Sequence, residues 1–264
     1  MTSSPKHPHR DSRVTSLFAT AISQIRNAGS TTGGRFETIE PVFLLTMATF
    51  DEMVADSTAS QGDIQNGKGD FFNDVLQVLL EHCSGKKLHT RPKVPGLSFP
   101  NHMLDIAYPA TGPVTFTIET KATGVPKHHR NTRQRNVDGR PGAADLEKRI
   151  KEAAFKNIDL KAEYARYGGQ GGGATSDLMS FLRATLPRCY MFLSVRVIND
   201  RDLQRTVHFG NIANQWFDAC GLYCYGWNAE HSSYERKPVE SHLELDRVLA
   251  RVCTALRNLT EPGG

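Results

Sequence analysis

The stretch Asn101–Ala122 reads NHMLDIAYPATGPVTFTIETKA, two strand-like segments with a turn between them. From Val114 to Ala122 the residues alternate: Val114, Phe116 and Ile118 on one side, Thr115, Thr117, Glu119 and Lys121 on the other. A period of two with one apolar face is a strand. Glu119 and Lys121, two residues apart, therefore project from the same face. The preceding Met103–Tyr108 segment is also strand-like, and Ala110-Thr111-Gly112-Pro113 between them is a turn signal. A hairpin through that turn brings Asp105 within reach of Glu119 and Lys121. Two carboxylates beside one ammonium, over an otherwise apolar sheet, can hold a divalent cation and activate a water. A solvated edge hairpin would carry the same residues with no chemistry, so the neighbouring elements matter.

Upstream, Asp70–Cys83 has two rows at helical spacing, Phe71-Val75-Leu79 and Phe72-Leu76-Leu80, broad enough to cover a sheet. Lys86–Arg91 is a candidate first strand, ahead of a loop with Pro92, Pro95 and Pro100. Downstream, Ala143–Tyr167 is expected as one long helix with a stripe of Leu146, Ile150, Ala154, Ile158 and Ala162. Arg188–Ile198 is expected as a buried strand, Leu203–Ala219 as a helix, Gly221–Trp227 as a strand and Ser241–Leu259 as an amphipathic helix. Nearer the start, Thr15–Ala28 has helical spacing, Phe36–Phe50 fits helix or strand, and Ala55–Gly69 is expected as a polar loop. Met1–Arg13 is expected as a disordered basic tail.

Asp105, thirteen intervening residues and then Glu119-Thr120-Lys121 resemble the active-site signature of the PD-(D/E)xK nuclease superfamily, which includes many type II restriction endonucleases. Leu104 stands where that signature has proline. The element order resembles the family's αβββαβ core, over roughly Gly69–Trp227. The resemblance implies an α/β fold with a mixed central sheet flanked by helices. One nuclease domain would then run from 15 to 264, after a tail of 1–14. Within it lie an N-terminal helical region (15–68), a catalytic core (69–227) and a C-terminal helix (241–259). It further implies Mg²⁺ held by Asp105, Glu119 and the Thr120 carbonyl, with Lys121 as the third catalytic residue beside the attacking water. The substrate would be double-stranded DNA, cut at a specific sequence by a homodimer to leave 5′-phosphate ends. A structure-directed repair or recombination nuclease and a non-catalytic DNA-binding module are the alternatives.

Relatives often carry a further acid on the first helix; here Asn73 stands at that place, with Asp74 the candidate substitute and Asp70 another. The basic run after the catalytic strand offers Lys127, Arg130, Arg133, Arg135 and Arg140 for DNA contact. The adjacent His128 and His129 point apart, which makes them poor joint ligands. Gly168–Gly173 lacks the Lys-Ser/Thr of a phosphate loop. Arg196, between Val195 and Val197, is either a paired core charge or an active-site arginine. The stretch Trp216–Trp227 fits core better than a stacking platform.

A net charge of +4 over 264 residues permits nucleic-acid binding without requiring it. No apolar run has the length of a membrane span. Five cysteines with no CxxC pair suggest buried free thiols in a reduced, cytoplasmic protein. Dimerisation would fall to the terminal helix or to the apolar residues of Thr15–Ile25.

Overall fold

Eight residues of alternating character, Phe116–Thr123, form β5 in a computed structural model that describes residues 11–28, 35–55, 58–109, 113–126, 139–166 and 178–259. In chain order the other elements begin with α1 (Ser12–Asn27), α2 (Glu40–Ala55) and α3 (Gln61–Ser84). Short strands follow: β1 (His89–Thr90), β2 (Lys93–Val94), β3 (His102–Met103) and β4 (Ile106–Tyr108). After β5 come β6 (Val125–Pro126), β7 (Gly139–Arg140), α4 (Leu146–Arg166) and α5 (Leu178–Ala184). The chain closes with β8 (Arg188–Arg196), α6 (Asp200–Trp216), β9 (Ala219–Asn228), β10 (Ser233–Lys237) and α7 (Leu245–Arg257).

The fold is α/β. Its central sheet is mixed, six-stranded, and ordered β1-β4-β5-β8-β9-β10. β4 and β5 pair antiparallel, with Ile106 opposite Ile118, whereas β5, β8 and β9 run parallel. Alternation along the strands splits the core. Phe116, Ile118, Tyr190, Phe192, Tyr223 and Tyr225 face a cluster built with α1, α2, α3 and α7. Met191, Leu193, Val195, Cys220 and Leu222 face the opposite cluster, with α4 and α6. Each fully buried aromatic or aliphatic side chain contributes about 1.5–3 kcal/mol of burial.

Several boundaries differ from expectation. The first helix starts at Ser12, inside the expected tail, because Asp11 caps it by accepting from the Arg13 N–H at 2.9 Å, and Val14 is buried. The undecided Phe36–Phe50 stretch is helical, for Phe43, Met47, Phe50 and Val54 recur at helical spacing and all are buried. The loop expected over Ala55–Gly69 ends early. Ser60 accepts from the Asp63 N–H at 3.1 Å and starts α3 at Gln61, despite Gly62, Gly67 and Gly69. The Met103–Tyr108 strand is two strands bent at Asp105, and β10 and α5 add to the expected elements.

The apolar faces proposed for dimerisation are used inside the chain. Leu245, Leu249, Val252 and Leu256 of α7, and Ala21 and Ile25 of α1, are buried in the first cluster. The expectation of five free thiols also fails. The last turn of α3 packs on α7, and Cys83 and Cys253 are joined in a disulfide with Cα atoms 5.9 Å apart. Cysteine usage therefore gives no argument for a reducing compartment. Cys189, Cys220 and Cys224 are free and buried, and burial pushes the Cys189 and Cys220 thiols up to about 12. No helix among the described residues is long and apolar enough to cross a membrane.

Candidate active site

The bend at Asp105 places its side chain. β3 belongs to a two-stranded ribbon with β2, while β4 belongs to the main sheet, and Asp105 is at the joint between them. Continuing the β4–β5 register by one residue sets Asp105 opposite Glu119. There, Asp105 Oδ2 accepts the Thr120 N–H at 2.8 Å, so a carboxylate takes the place of a strand carbonyl. Lys121 Nζ then lies 3.0 Å from Asp105 Oδ2 and 3.3 Å from Glu119 Oε2, and donates to the Thr120 carbonyl at 2.8 Å. The three residues expected from the sequence thus meet at one point.

A fourth residue, Lys156 on α4, completes the cluster. Its Nζ donates to Glu119 Oε1 at 2.7 Å and to the Met103 carbonyl at 2.8 Å. Glu119 is only 4% exposed, and each of its oxygens meets an ammonium. That pairing is what makes the buried carboxylate tolerable, since an unpaired one costs several kcal/mol. Two carboxylates and two ammoniums sum to zero. Burial works to lower the Lys121 pKa, but Glu119 and Asp105 outweigh it, and the ammonium is held above its ordinary range. Sequence reading missed Lys156. The available signal was the run of polar residues (Lys156, Asn157, Asp159, Lys161) interrupting the inner stripe of α4, three of them buried.

No family model, curated protein or solved structure matches the chain.

The donor set is compatible with a hard divalent cation. Asp105 and Glu119 supply two carboxylates and the Thr120 carbonyl a third oxygen, and Mg²⁺ is commonly held by one or two carboxylates with waters completing the shell. Among the described residues no group of three or more His, Cys, Asp or Glu converges. Asp74 therefore does not join the pair. Successive residues on a helix point about 100° apart, and α3 turns Asn73, not Asp74, toward the sheet. Asn73 is buried and its Oδ1 accepts from Thr120 Oγ1 at 3.3 Å. Asp70 is engaged by Arg91.

Of the basic residues, Lys127, Arg130, Arg133 and Arg135 lie outside the described residues, as do His128, His129 and Gly168–Gly173. Arg140 is exposed on β7 and paired with Asp145 at 2.6 Å. With Gln61, Gln65 and Arg149 it lines a cleft of about 290 Å³ at the carboxyl end of β5. Arg196 is a paired core charge: its Nε donates to the Tyr234 hydroxyl at 2.8 Å and lies 3.5 Å from Asp51. Asp51 also holds the buried Lys68 at 2.6 Å.

Proposed function

We propose that this chain is a Mg²⁺-dependent endodeoxyribonuclease of the restriction type, hydrolysing phosphodiester bonds of double-stranded DNA. The carrying observation is the convergence of Asp105, Glu119 and Lys121, with the ammonium 3.0 and 3.3 Å from the two carboxylates. The element order around it supports the same reading. With the two-stranded ribbons and the short α5 set aside, α3, β1, β4, β5, α4 and β8 come in the order αβββαβ, with Asp105 just before the second main-sheet strand and Glu119 on the third.

When bound, Mg²⁺ would polarise a phosphoryl oxygen as a Lewis acid. The chain's own groups do the rest. Lys121, protonated and partly exposed, offsets the negative charge that gathers on the phosphoryl oxygens. Lys156 holds the Glu119 carboxylate in place. The Thr120 N–H fixes the Asp105 carboxylate. A water oxygen bonds to phosphorus as the P–O3′ bond breaks, one water proton passes to solvent, and the departing 3′ oxygen takes a proton from solvent to become a hydroxyl. A 5′-phosphate remains. Sequence-specific recognition and pairing of two copies across the duplex extend the proposal on the resemblance alone.

Digestion of phage DNA with Mg²⁺ or with EDTA tests the reading. Discrete, religatable fragments with Mg²⁺ only are expected; a smear would favour the structure-directed alternative. Intact DNA, bound but uncut in Mg²⁺, would overturn the reading in favour of a binding module.

A further inference from the structure

Among the described residues, four of the six large apolar side chains left exposed, Leu97, Phe99, Met103 and Phe155, are tied to one stretch of α4. The Phe99 and Phe155 rings meet edge to face, with centroids 5.6 Å apart. Lys156, the residue after Phe155, reaches both the Met103 carbonyl and Glu119. The apolar patch therefore borders the candidate centre.

The loop carrying Phe99 is clamped. Asp159, buried on α4, accepts from the Ser98 N–H at 2.8 Å, the Phe99 N–H at 3.2 Å and His102 Nε2 at 2.7 Å. Its backbone carbonyl accepts from the Leu97 N–H at 3.2 Å. Burial acts to raise the Asp159 pKa, but the bonds from His102, Ser98 and Phe99 prevail and hold the carboxyl below its ordinary range. Gly96 lets the loop approach, for a Cβ there would collide with Asp159 Oδ2 and the His102 ring. A buried carboxylate with three donors is a costly way to fix a loop whose outward face is apolar. The result is a preorganised aromatic surface, which lowers the ordering cost of anything that binds it.

We infer that Phe99 and Phe155 form a stacking platform for an unpaired base of the strand whose phosphate enters the Asp105–Glu119 centre. This rests on the nuclease reading. The chemistry of the border selects the occupant: exposed Lys93 is paired in register with Met103, and the Met103 carbonyl in turn binds Lys156, the neighbour of Phe155. A half-exposed aromatic ring offers one face for a base to stack on, and an exposed lysine beside it complements a flanking phosphate. Bases stacked inside an intact duplex cannot present a face to it, so the double-stranded substrate is locally opened beside the cut, and a single strand serves as the probe of that opened state.

The test uses the full chain with Ca²⁺ in place of Mg²⁺, and an oligonucleotide carrying 2-aminopurine, as a single strand and as a blunt duplex. Phe99→Ala and Phe155→Ala should each weaken single-strand binding about ten- to a hundredfold and abolish the fluorescence change, while Phe99→Tyr retains both. Both phenylalanines are about half exposed, so the variants should fold. If the double alanine variant binds the single strand as the wild type does, the inference fails and the nuclease reading stands. If the wild type binds no DNA in either form, the nuclease reading fails and takes the inference with it.

Discussion

Lys156 on α4 stands 2.7 Å from Glu119 on β5, and this contact joins a helix to the strand carrying the candidate chemistry. It also leaves Glu119 with one ammonium at each oxygen. Lys156→Ala should therefore lower the cleavage rate about ten- to a hundredfold, the usual cost of losing a group that orients a ligand. Lys156→Arg should recover part of it. Steady-state cleavage of a plasmid measures both; equal rates for all three proteins would remove Lys156 from the site.

Lys121 lies between the carboxylates, where it competes with any cation they would hold. Lys121→Met should therefore bind Mg²⁺ more tightly than the wild type without DNA, and yet cleave far more slowly. Calorimetric titration beside a cleavage assay separates the two effects. Unchanged metal affinity would mean that the ammonium and the cation do not share a position.

The same group gives a pH dependence. Burial opposes the charged form of Lys121, Glu119 and Asp105 favour it more strongly, and its pKa is raised above the ordinary 10.5. A raised lysine pKa stabilises the fold fully below the unfolded value, and the contribution is lost as pH climbs through the folded one. The stability difference between wild type and Lys121→Met should hold steady through neutral pH and change only above about pH 10, in the direction of lost wild-type stability. Urea unfolding across that range reads it; a difference that drifts between neutral pH and about pH 9 would contradict the assignment.

Away from the site, Asp51 pairs with two buried cations, Lys68 and Arg196, and accepts the Tyr234 hydroxyl. Burial already holds the Lys68 pKa below its ordinary value, against the pull of Asp51. Asp51→Asn should cost about 3–5 kcal/mol, because it strands both charges. Lys68→Met should cost less, since Asp51 keeps Arg196 and Tyr234. Chemical denaturation ranks the two, and equal losses would argue against this account of the cluster.

Much of the fold was legible because it rests on local periodicity. The alternation of β5 and the helical rows of α3 are patterns of burial, and burial is what the sheet and its covering helix require. The bend at Asp105 was not legible, for it depends on β3 leaving the sheet to pair with β2, a tertiary choice. The start of α3 was hidden by three glycines that weaken helix propensity and outweigh the local signal of its Ser60–Asp63 cap. Asp105, Glu119 and Lys121 could be brought together from one hairpin. Lys156 and the Cys83–Cys253 bridge could not, because each depends on elements distant in the chain.

Asp105→Asn is the most direct test of the central claim. The amide oxygen can still accept the Thr120 N–H, so the fold should persist with thermal unfolding close to that of the wild type. The charge that would help hold a cation is lost, together with a partly exposed ion pair to Lys121 that contributes little to stability. The expected result is a folded protein whose Mg²⁺-dependent DNA cleavage falls at least about a hundredfold. If the folded Asp105→Asn protein cleaves DNA at the wild-type rate, that result would contradict the assignment of this site as a metal-dependent nuclease centre.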